Sequence, residues 1–340
     1  MLGNHNLNPP RRAKIIGLGK GVPANILTNQ DLERLIDTTD EWITTRTGVK
    51  ERRIVSPQQS TNDLAEEASR QALQASGLNA DDLELIILCT VAPDQYVPAG
   101  ACDLQYRLGA RQAAAFDLNA ACSGFLFGLS VAQAFVAAQM FSKILVVGAE
   151  ALSRLVDYQD RSTCIIFGDG AGAAVVAASD DETGILGFDM GADGSGGSLL
   201  QIPGGGTKIP ASHASVDQKL HYIRMKGKEL FRPAVRAMLA SMDRALASAQ
   251  LSRQDIDWVI PHQANMRIIE ALAARMNISM DRIFINLNRY GNTSGASIPL
   301  ALAEAVEQDL LAPGDIVVLA GFGAGLTWGS MIVRWGKLGI

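Results

Sequence analysis

The sequence predicts a layered α/β fold made of two copies of one unit, and three observations support this prediction. Helical patterns and short apolar strands alternate from about residue 13 to the end of the chain, as in sheets that are covered by helices. Strands such as 83–90 are apolar nearly throughout, which is typical of parallel strands buried on both faces. The second half of the chain also repeats segments of the first half in the same order.

The repeat divides the chain into two predicted halves, residues 1–180 and 181–340. ASGLNADDLELII from Ala75 aligns with SAQLSRQDIDWVI from Ser248, an offset of 248 − 75 = 173 residues. Ser-Gly at 123 matches Ser-Gly at 294, an offset of 171, and GDGAG at 168 matches GFGAG at 321, an offset of 153. About 171 − 153 = 18 residues of the first copy are therefore missing from the second. The remaining matches are Leu-Asn at 118 and 287, and the strands that begin at Ile144 and Ile316.

The regular elements are predicted to follow a loose arm, residues 1–12. Thr28 is placed to cap a short helix, and Ser60, Thr61 or Asn62 can open a long amphipathic helix. The predicted strands are 13–18, 83–90, 113–118, 144–150, 258–260, 283–287 and 316–322, and the predicted helices are 28–36, 61–76, 124–139 and 296–307.

Composition excludes several classes of protein. Hydrophobic residues make up 48% of the chain and charged residues 19%, which indicates a large core and no disordered bulk. The net charge of −5 gives no reason to expect nucleic acid as a partner. The four cysteines form neither a CxxC nor a Cys/His cluster, so we expect no metal and a reducing compartment. No signal-peptide core or membrane-spanning run is present, so we expect a cytoplasmic protein without a membrane partner.

Cys122 is the candidate nucleophile. It lies in FDLNAACSGFLF, between the predicted strand 113–118 and the predicted helix 124–139. A sulfur at a helix N-terminus is close to unpaired N–H groups and the positive end of the helix dipole, so we expect a lowered thiol pKa. Most intracellular cysteines are inert small hydrophobes, however, so this assignment depends on the rest of the chain.

His262 and Asn292 complete the candidate site. In open α/β sheets ligands bind at the carboxyl ends of strands, and two packed copies bring equivalent strand ends together. Asn292 lies in RYGNTSG, which the repeat predicts to be the counterpart of the Cys122 turn. His262, in IPHQAN, follows the strand 258–260. Alone, this histidine is equally well explained as structural, but beside a cysteine and an asparagine it becomes a site residue.

These residues lie in motifs that resemble β-ketoacyl-acyl-carrier-protein synthase III, a family of the thiolase fold. The motifs, from about residue 13 to 335, are DEWITTRTG, AACSGF, DRSTCIIFGDGAGAAVV, GADGSGG, PHQANMRI, GNTSGAS and GFGAGLTWGS. The resemblance implies a duplicated αβαβα body with two pseudo-symmetric halves, a homodimer and a Cys122, His262 and Asn292 catalytic set. It also implies condensation of an acyl-CoA primer with malonyl-acyl carrier protein, with coenzyme A entering as a thioester substrate and no separate cofactor.

The implied chemistry accounts for these residue types. A thiolate accepts an acyl group from a thioester at little net energy cost, and loss of CO2 from the malonyl thioester then creates an enolate. Neutral donors on His262 and Asn292 can stabilise that charge, whereas a carboxylate would repel it. The resemblance assigns the oxyanion of acyl transfer to the N–H groups of Cys122 and Ala324, where many family members have glycine. Phe322 would cover the sulfur, with ordinary packing as the alternative.

Substrate binding is assigned by the same resemblance. Trp42 would stack on adenine, Arg46 and Arg161 would contact the nucleotide and its phosphates, and Asn265 would lie along the pantetheine arm. An indole flanked by guanidinium groups suits a flat base with phosphates, although a solvated surface with one packed Trp is the alternative. Because acyl carrier protein is acidic, we expect it to dock on a basic patch of surface arginines: Arg267, Arg232 and Arg275.

The sequence does not show which acyl group is the primer or which pathway the enzyme serves. Leu152, Ile166 and Phe167 would line the acyl pocket, and Val97 replaces a Phe that in the family often reaches into the neighbouring subunit's pocket. A smaller side chain there would admit a longer or branched primer. The same motifs occur in enzymes of secondary metabolism that make quinolones or polyketide starters. A Cys-His-Asn hydrolase is a more remote alternative, because papain-like enzymes have different signatures and no internal duplication.

Overall fold

The computed structural model describes residues 11–339, so the predicted loose arm lies outside the described residues apart from Arg11 and Arg12. The strands are β1 (Ala13–Gly21), β2 (Asn25–Thr28), β3 (Glu51–Ile54), β4 (Leu85–Cys89), β5 (Ala114–Leu118), β6 (Lys143–Glu150), β7 (Gly170–Ala178), β8 (Gly184–Ala192), β9 (Leu200–Gln201), β10 (Arg224–Met225), β11 (Trp258–Pro261), β12 (Ile316–Gly323) and β13 (Thr327–Arg334). The helices are α1 (Asn29–Glu33), α2 (Asp40–Thr47), α3 (Thr61–Ser76), α4 (Gly100–Leu108), α5 (Gly124–Ala137), α6 (Arg161–Cys164), α7 (His213–Asp217), α8 (Gly227–Ser248), α9 (Met266–Met276), α10 (Leu287–Tyr290) and α11 (Ser297–Glu307).

Local signals in the sequence account for many helix boundaries. Thr28 caps α1 through a capping box with Asp31, although this helix ends at Glu33, earlier than predicted. Ser60 and Asp63 form the capping box of α3, whose bounds match the prediction. Within residues 11–339, none of the helices is long and apolar enough to cross a lipid bilayer.

Two main sheets have the same strand order. The first runs β1-β7-β6-β4-β5, with β4 parallel to β5 and β6 and with β7 antiparallel to β6 and β1. The second runs β8-β13-β12-β11, with β11 parallel to β12 and the other pairs antiparallel. Strand for strand, this is the order of β1, β7, β6 and β4, so the predicted duplication is confirmed.

The register shows which residues are equivalent in the two copies. Leu88 pairs with Val147 in the first sheet, and Pro261 pairs with Ala320 in the second. Each residue of the second pair lies 173 positions after its counterpart in the first pair (261 − 88 and 320 − 147). This is the same offset as that of the first aligned segment. The match of GDGAG with GFGAG is wrong as a structural pair, because the first string leads into β7 and the second ends β12. The first copy nevertheless contains extra residues, as predicted, in the connection between two strands. Segment 151–169 joins β6 to β7, whereas the equivalent connection, from β12 to β13, is only 324–326.

The predicted strand 283–287 is wrong. Only an isolated bridge joins Val259 to Ile283, and α10 begins at Leu287. In this segment a side chain takes the place of a neighbouring strand as hydrogen-bond acceptor. Gln263 Oε1 accepts hydrogen bonds from the N–H groups of Asn286 and Leu287. Sequence periodicity does not reveal such a bond between distant segments.

Five layers result from burial of the apolar faces. Helices α5 and α11 lie between the two sheets and share one core with both, which includes Phe125 and Ile298. Helices α3 and α4 cover the outer face of the first sheet, and α8 and α9 cover that of the second. The short turns that precede these two central helices contact each other.

Candidate active site

Equivalent short turns precede the two central helices. The turn Ala121–Ser123 leads into α5, and Ser294–Ala296 leads into α11. Ala121 has φ 47° and Ser294 has φ 48°, a left-handed conformation that costs free energy in any residue other than glycine. Two such outliers at matching positions indicate that both copies hold this turn under the same constraint.

An asparagine side chain accepts a hydrogen bond from each turn. Asn119 Oδ1 accepts from the N–H of Ala121 at 3.2 Å, and Asn292 Oδ1 accepts from the N–H of Ser294 at 2.8 Å. Because 292 − 119 = 173, these asparagines are equivalent, and the counterpart of Cys122 is Gly295. The offset of 171 that paired Ser123 with Ser294, and the pairing of Leu118-Asn119 with Leu287-Asn288, are therefore wrong, although the RYGNTSG turn does lie opposite Cys122.

Cys122 is buried, with 6% of its surface exposed. The end of β12 packs directly on it, since a Cβ on Gly323 would lie 2.7 Å from the Cys122 nitrogen. Burial raises the pKa of the Cys122 thiol to about 12; hydrogen bonding from Ser294 lowers it and the nearby Glu150 carboxylate raises it. The predicted lowering of the thiol pKa is wrong, because loss of water outweighs the effect of the helix start.

His262 follows β11 and is 3% exposed, with its N–H bonded to the carbonyl of Ala320 at 2.7 Å. Burial lowers the pKa of His262 to about 4, so the ring is neutral near pH 7. Its Nδ1 has no hydrogen-bond partner among the described residues. The ring therefore has one nitrogen enclosed by protein and the other available to a bound molecule.

Cys122 lies at the junction of two cavities. The larger, of about 500 Å³, is also lined by Leu152, Ala324 and Asn119. The smaller, of about 170 Å³, is lined by Cys122 together with the following predicted site residues: His262, Asn292, Asn265, Phe322 and Ile166. Phe167 borders both cavities. The fold thus brings the Cys, His and Asn predicted from sequence to one place, from segments up to 170 residues apart (292 − 122).

Trp42 is enclosed by the two arginines predicted beside it. The guanidinium carbons of Arg46 and Arg161 each lie 4.5 Å from the centroid of its rings. Arg161 also donates to the carbonyl of Asp37 at 2.7 Å, which ties segment 151–169 to the segment that precedes α2. An indole ring with two guanidinium groups beside it is suited to a flat ligand that carries phosphates.

Asn265 links this platform to the smaller cavity. Its Nδ2 donates to the carbonyl of Arg46 at 3.1 Å, and its Oδ1 accepts from the N–H of Arg267 at 2.9 Å and caps α9. The amide that the sequence predicts to contact a ligand is therefore committed to joining α2 and α9, while the side chain still lines the cavity.

The three predicted docking arginines are exposed on the helices beside the smaller cavity. Arg232 follows Phe231 in α8 and Arg267 precedes Ile268 in α9, and both apolar neighbours line the cavity. Arg275 lies in the last turn of α9. The sequence analysis missed Lys226 and Lys228, which are exposed at the start of α8 and extend the basic surface.

Val97 does not line either cavity of its own chain. Its side chain is 85% exposed, whereas the neighbouring Tyr96, 80% exposed, borders the larger cavity. A role for Val97 in measuring the primer thus requires a second subunit and stays a prediction.

Glu150 is a buried site residue that the sequence analysis missed. It ends β6 with 0% exposure, and its carboxylate accepts hydrogen bonds from the Val91 N–H at 3.1 Å and the Gly295 N–H at 3.3 Å. Burial raises the pKa of Glu150 to about 7. The signal was visible as the one acid that closes the apolar strand ILVVGAE.

The comparisons with known proteins agree on one family. The family model for 3-oxoacyl-[acyl-carrier-protein (ACP)] synthase III matches residues 116–194, and the model for its C terminal matches 246–335. A curated relative from Caldanaerobacter subterraneus subsp. tengcongensis, beta-ketoacyl-[acyl-carrier-protein] synthase III, is 51% identical over 325 residues, 96% of this chain and 98% of the relative.

Solved structures agree with the sequence relatives. The 3-oxoacyl-[acyl-carrier-protein] synthase III of Aquifex aeolicus VF5 is 46% identical with a TM-score of 0.88, covering 95% of this chain and all of that one (100%). The priming beta-ketosynthase of the R1128 polyketide biosynthetic pathway is 33% identical with a TM-score of 0.89, covering 98% and 99%. From its sequence, fold and relatives, this chain belongs to the β-ketoacyl-acyl-carrier-protein synthase III family, and it is a condensing acyltransferase of the thiolase fold.

Proposed function

We propose that the enzyme condenses an acyl-CoA primer with malonyl-acyl carrier protein in the first step of fatty acid synthesis, with Cys122 as the acylated nucleophile. The observation that carries this proposal is the junction at Cys122, where one cavity also contains His262 and Asn292 and the other is large enough for an acyl chain. The reaction needs no cofactor beyond the coenzyme A of its own thioester substrate.

Acyl transfer uses backbone donors in this proposal. The N–H groups of Cys122 and Ala324 hold the tetrahedral oxyanion, and Ala324 borders the larger cavity beside the sulfur. Thr327 supports this arrangement, because its hydroxyl is within hydrogen-bonding distance of the carbonyls of Ala120 (2.9 Å) and Ala324 (3.0 Å). The two turns that carry the donors are thereby tied to each other.

Decarboxylation uses neutral side-chain donors. Asn292 Oδ1 is occupied by the N–H of Ser294, so its NH2 group is the part left to face the enolate. His262 is neutral because burial lowers its pKa. Since Nδ1 has no hydrogen-bond partner within residues 11–339, we assign the ring proton to Nε2, where it can face the cavity. Two donors without charge stabilise the enolate and do not attract the malonyl carboxylate, which must leave as CO2.

The substrates enter from the surface that carries Trp42. Coenzyme A binds with its adenine at Trp42 between Arg46 and Arg161, and its pantetheine arm passes Asn265 through the smaller cavity. The acyl chain then extends from Cys122 into the larger cavity. Malonyl-acyl carrier protein docks on the basic surface of α8 and α9: Arg232, Arg267, Arg275, Lys226 and Lys228.

The working form in this proposal is a cytoplasmic homodimer whose subunits each consist of the halves 1–180 and 181–340. Large exposed side chains support the dimer, since Tyr96 at the larger cavity, its neighbour Val97, and Tyr106 on α4 are each at least 80% exposed in the single chain. A partner subunit that covered them would also close the open end of the acyl pocket.

Intact-protein mass spectrometry after incubation with a panel of acyl-CoA thioesters tests this function. We expect one mass increment per chain, located on Cys122 by peptide mapping, and its size identifies the primer. A priming role in polyketide synthesis is the second candidate, favoured by the similarity to the R1128 priming enzyme and by the small Val97. Acylation by acetyl-CoA alone would support fatty acid initiation, and preference for longer or branched primers would support the second candidate. Hydrolysis without an acyl intermediate would contradict both.

A further inference from the structure

Gln263 is a buried amide whose side chain bonds backbone groups of two segments, and 1% of its surface is exposed. Its Nε2 donates to the carbonyl of Pro261 at 2.8 Å and to that of Phe284 at 3.1 Å. Its Oε1 accepts from the N–H groups of Asn286 at 3.1 Å and Leu287 at 3.2 Å. An amide has two donor hydrogens and two acceptor lone pairs, so this side chain uses its full hydrogen-bonding capacity.

These bonds tie His262 to a distant part of the chain, because Gln263 is the next residue after it. The N–H of Gln263 also donates to the hydroxyl of Ser297 at 2.7 Å, in the first turn of α11. The turn after β11 is thereby bound both to the connection 284–287 and to a central helix. A buried amide with all its bonds made is rigid, and it fixes the backbone of its neighbour as well.

Glu304, on α11, holds the next part of this connection. It is 3% exposed, and its carboxylate accepts from Asn286 Nδ2 at 3.0 Å and from the Tyr290 hydroxyl at 2.5 Å. Two cations accompany it, since Arg289 donates at 2.8 Å and the Lys20 nitrogen lies at 3.7 Å. The charge of this buried acid is therefore paired, and three side chains of the connection converge on one helix position.

Asn292 follows that connection and is also fixed by the first half of the chain. Its N–H donates to the carbonyl of Ile166 at 2.9 Å, and its carbonyl accepts from the N–H of Gly168 at 3.0 Å. The stretch from the histidine to this asparagine, 30 positions long (292 − 262), is therefore held at both ends and at 286–290.

The separation of His262 and Asn292 decides whether both can bind one enolate oxygen. Two donors stabilise the same oxygen only if each lies about 2.7–3.1 Å from it, and a displacement of about 1 Å can cost about 100-fold in rate. Within residues 11–339, the linings of the two cavities at Cys122 include neither Gln263 nor Glu304. An effect of these two residues on the reaction therefore passes through the donors.

We propose that Gln263 and Glu304 are positioning residues for decarboxylation. They hold His262 and Asn292 at the separation that lets both donate to one enolate oxygen. The inference rests on the proposed function, which assigns the enolate to these two donors. Acylation of Cys122 uses backbone donors in other turns, so it does not depend on this separation.

The test compares the two half-reactions in Gln263→Met and Glu304→Gln. Methionine has the length of glutamine but removes the partner of four backbone groups, and glutamine at 304 removes the negative charge. The kcat for CO2 release from malonyl-acyl carrier protein should fall about 100-fold in Gln263→Met and about tenfold in Glu304→Gln. The KM for this substrate and the single-turnover rate of Cys122 acylation should each change less than about threefold.

A variant with one donor removed separates positioning from a general loss of structure. In Asn292→Ala a single donor remains, so its alignment with a partner no longer matters. Adding Gln263→Met to Asn292→Ala should then cost at most about tenfold more, because the two changes remove the same interaction. A further loss of about 100-fold in this background would overturn the proposal.

Asn62→Leu is the matched control. Asn62 is also a buried amide, 1% exposed, and it donates to the carbonyl of Gly100 at 3.0 Å and to Asp103 at 2.8 Å in the outer layer of the first half. This variant should lower Tm in calorimetry and keep the rates of both half-reactions, because its bonds do not reach His262 or Asn292.

Ser297→Ala is a milder variant that serves if Gln263→Met does not fold. It removes the acceptor of the Gln263 N–H, and it should slow CO2 release about fivefold while sparing acylation. Equal losses in both half-reactions of the Gln263, Glu304 and Ser297 variants, or no loss in CO2 release, would overturn the proposal. If Asn292→Ala and His262→Ala released CO2 like the wild type, the proposed function itself would be refuted.

Discussion

The two turns that open the central helices have the same backbone and different chemistry. Cys122 and Gly295 are equivalent positions, as are Asn119 and Asn292, and both asparagines bond the N–H two residues further on. Yet Asn292 is 6% exposed and faces the smaller cavity, whereas Asn119 is exposed and borders the larger one. Both halves therefore contain the same strained turn. The two asparagines differ in burial, and the buried one, Asn292, is the one that faces the smaller cavity.

The strand ends differ in the same way. At the 173-residue offset, His262 at the end of β11 is equivalent to Cys89 at the end of β4. His262 reaches a cavity, while the Cys89 sulfur is packed so closely that a Cβ on Gly128 would lie 2.7 Å from it. In the proposed function, one half therefore supplies the nucleophile and the other half the enolate donors, so neither half forms the proposed site alone.

The largest expected effect comes from removing the nucleophile. Cys122→Ser should reduce acyl transfer from acyl-CoA by several orders of magnitude, because a hydroxyl in this buried site is a far weaker nucleophile than a thiolate. The measurement is uptake of labelled acyl group, with Cys102→Ser, an exposed cysteine outside both cavities, as the control. Label on Cys89, Cys102 or Cys164 in the Cys122 variant would contradict the assignment.

The next effect separates the equivalent asparagines. Asn292→Ala, like His262→Ala, should slow decarboxylation of the malonyl thioester by about 100- to 1,000-fold and leave Cys122 acylation nearly intact, because it removes an enolate donor. Asn119→Ala should do the reverse: loss of its hydrogen bond from the Ala121 N–H, about 1 kcal/mol, should slow acylation several-fold and spare decarboxylation. Release of CO2 and intact mass measure the two half-reactions. If both asparagine variants lost the same half-reaction, the division of roles would be wrong.

A third prediction tests the proposed dimer, through the residue that would border the acyl pocket of a second subunit. Val97→Phe adds roughly four heavy atoms, and overpacking costs about 1 to 3 kcal/mol, or about tenfold to a hundredfold in preference. The kcat/KM for a medium-chain acyl-CoA should fall while that for acetyl-CoA stays nearly constant. A uniform change across chain lengths would show that residue 97 does not measure the primer.

The smallest effect is on stability, where the two buried titratable groups act in opposite directions. The pKa of Glu150 is raised to about 7, so the folded state holds a proton that the unfolded state releases, and this part of the stability is lost as pH rises from about 4.5 through 7. The pKa of His262 is lowered to about 4, so its part is lost as pH falls from about 6.5 through 4.

Glu150→Gln should therefore flatten the decline of Tm between pH 5 and 8 by roughly 2–4 °C relative to wild type, because the glutamine amide does not titrate. Scanning calorimetry at each pH gives this difference, and His262→Asn should act in the opposite direction and steepen the decline below about pH 6.5. Parallel Tm curves for the wild type and Glu150→Gln would mean that Glu150 does not titrate in this range.

The sequence by itself determined the duplication, the family, most of the strands and helices that it predicted, and the Cys, His and Asn that the structure brings together. Capping boxes such as Ser60 with Asp63 act within one turn, and apolar periodicity acts within one element, so both can be read along the chain. The tertiary structure decided which residues of the two halves are equivalent, at an offset of 173. It also decided that 283–287 is not a strand, that the pKa of Cys122 is raised, and where Glu150 lies. These depend on which segments exclude water from one another, as where Gly295 donates to Glu150 across 145 residues of sequence, and no local pattern encodes that desolvation.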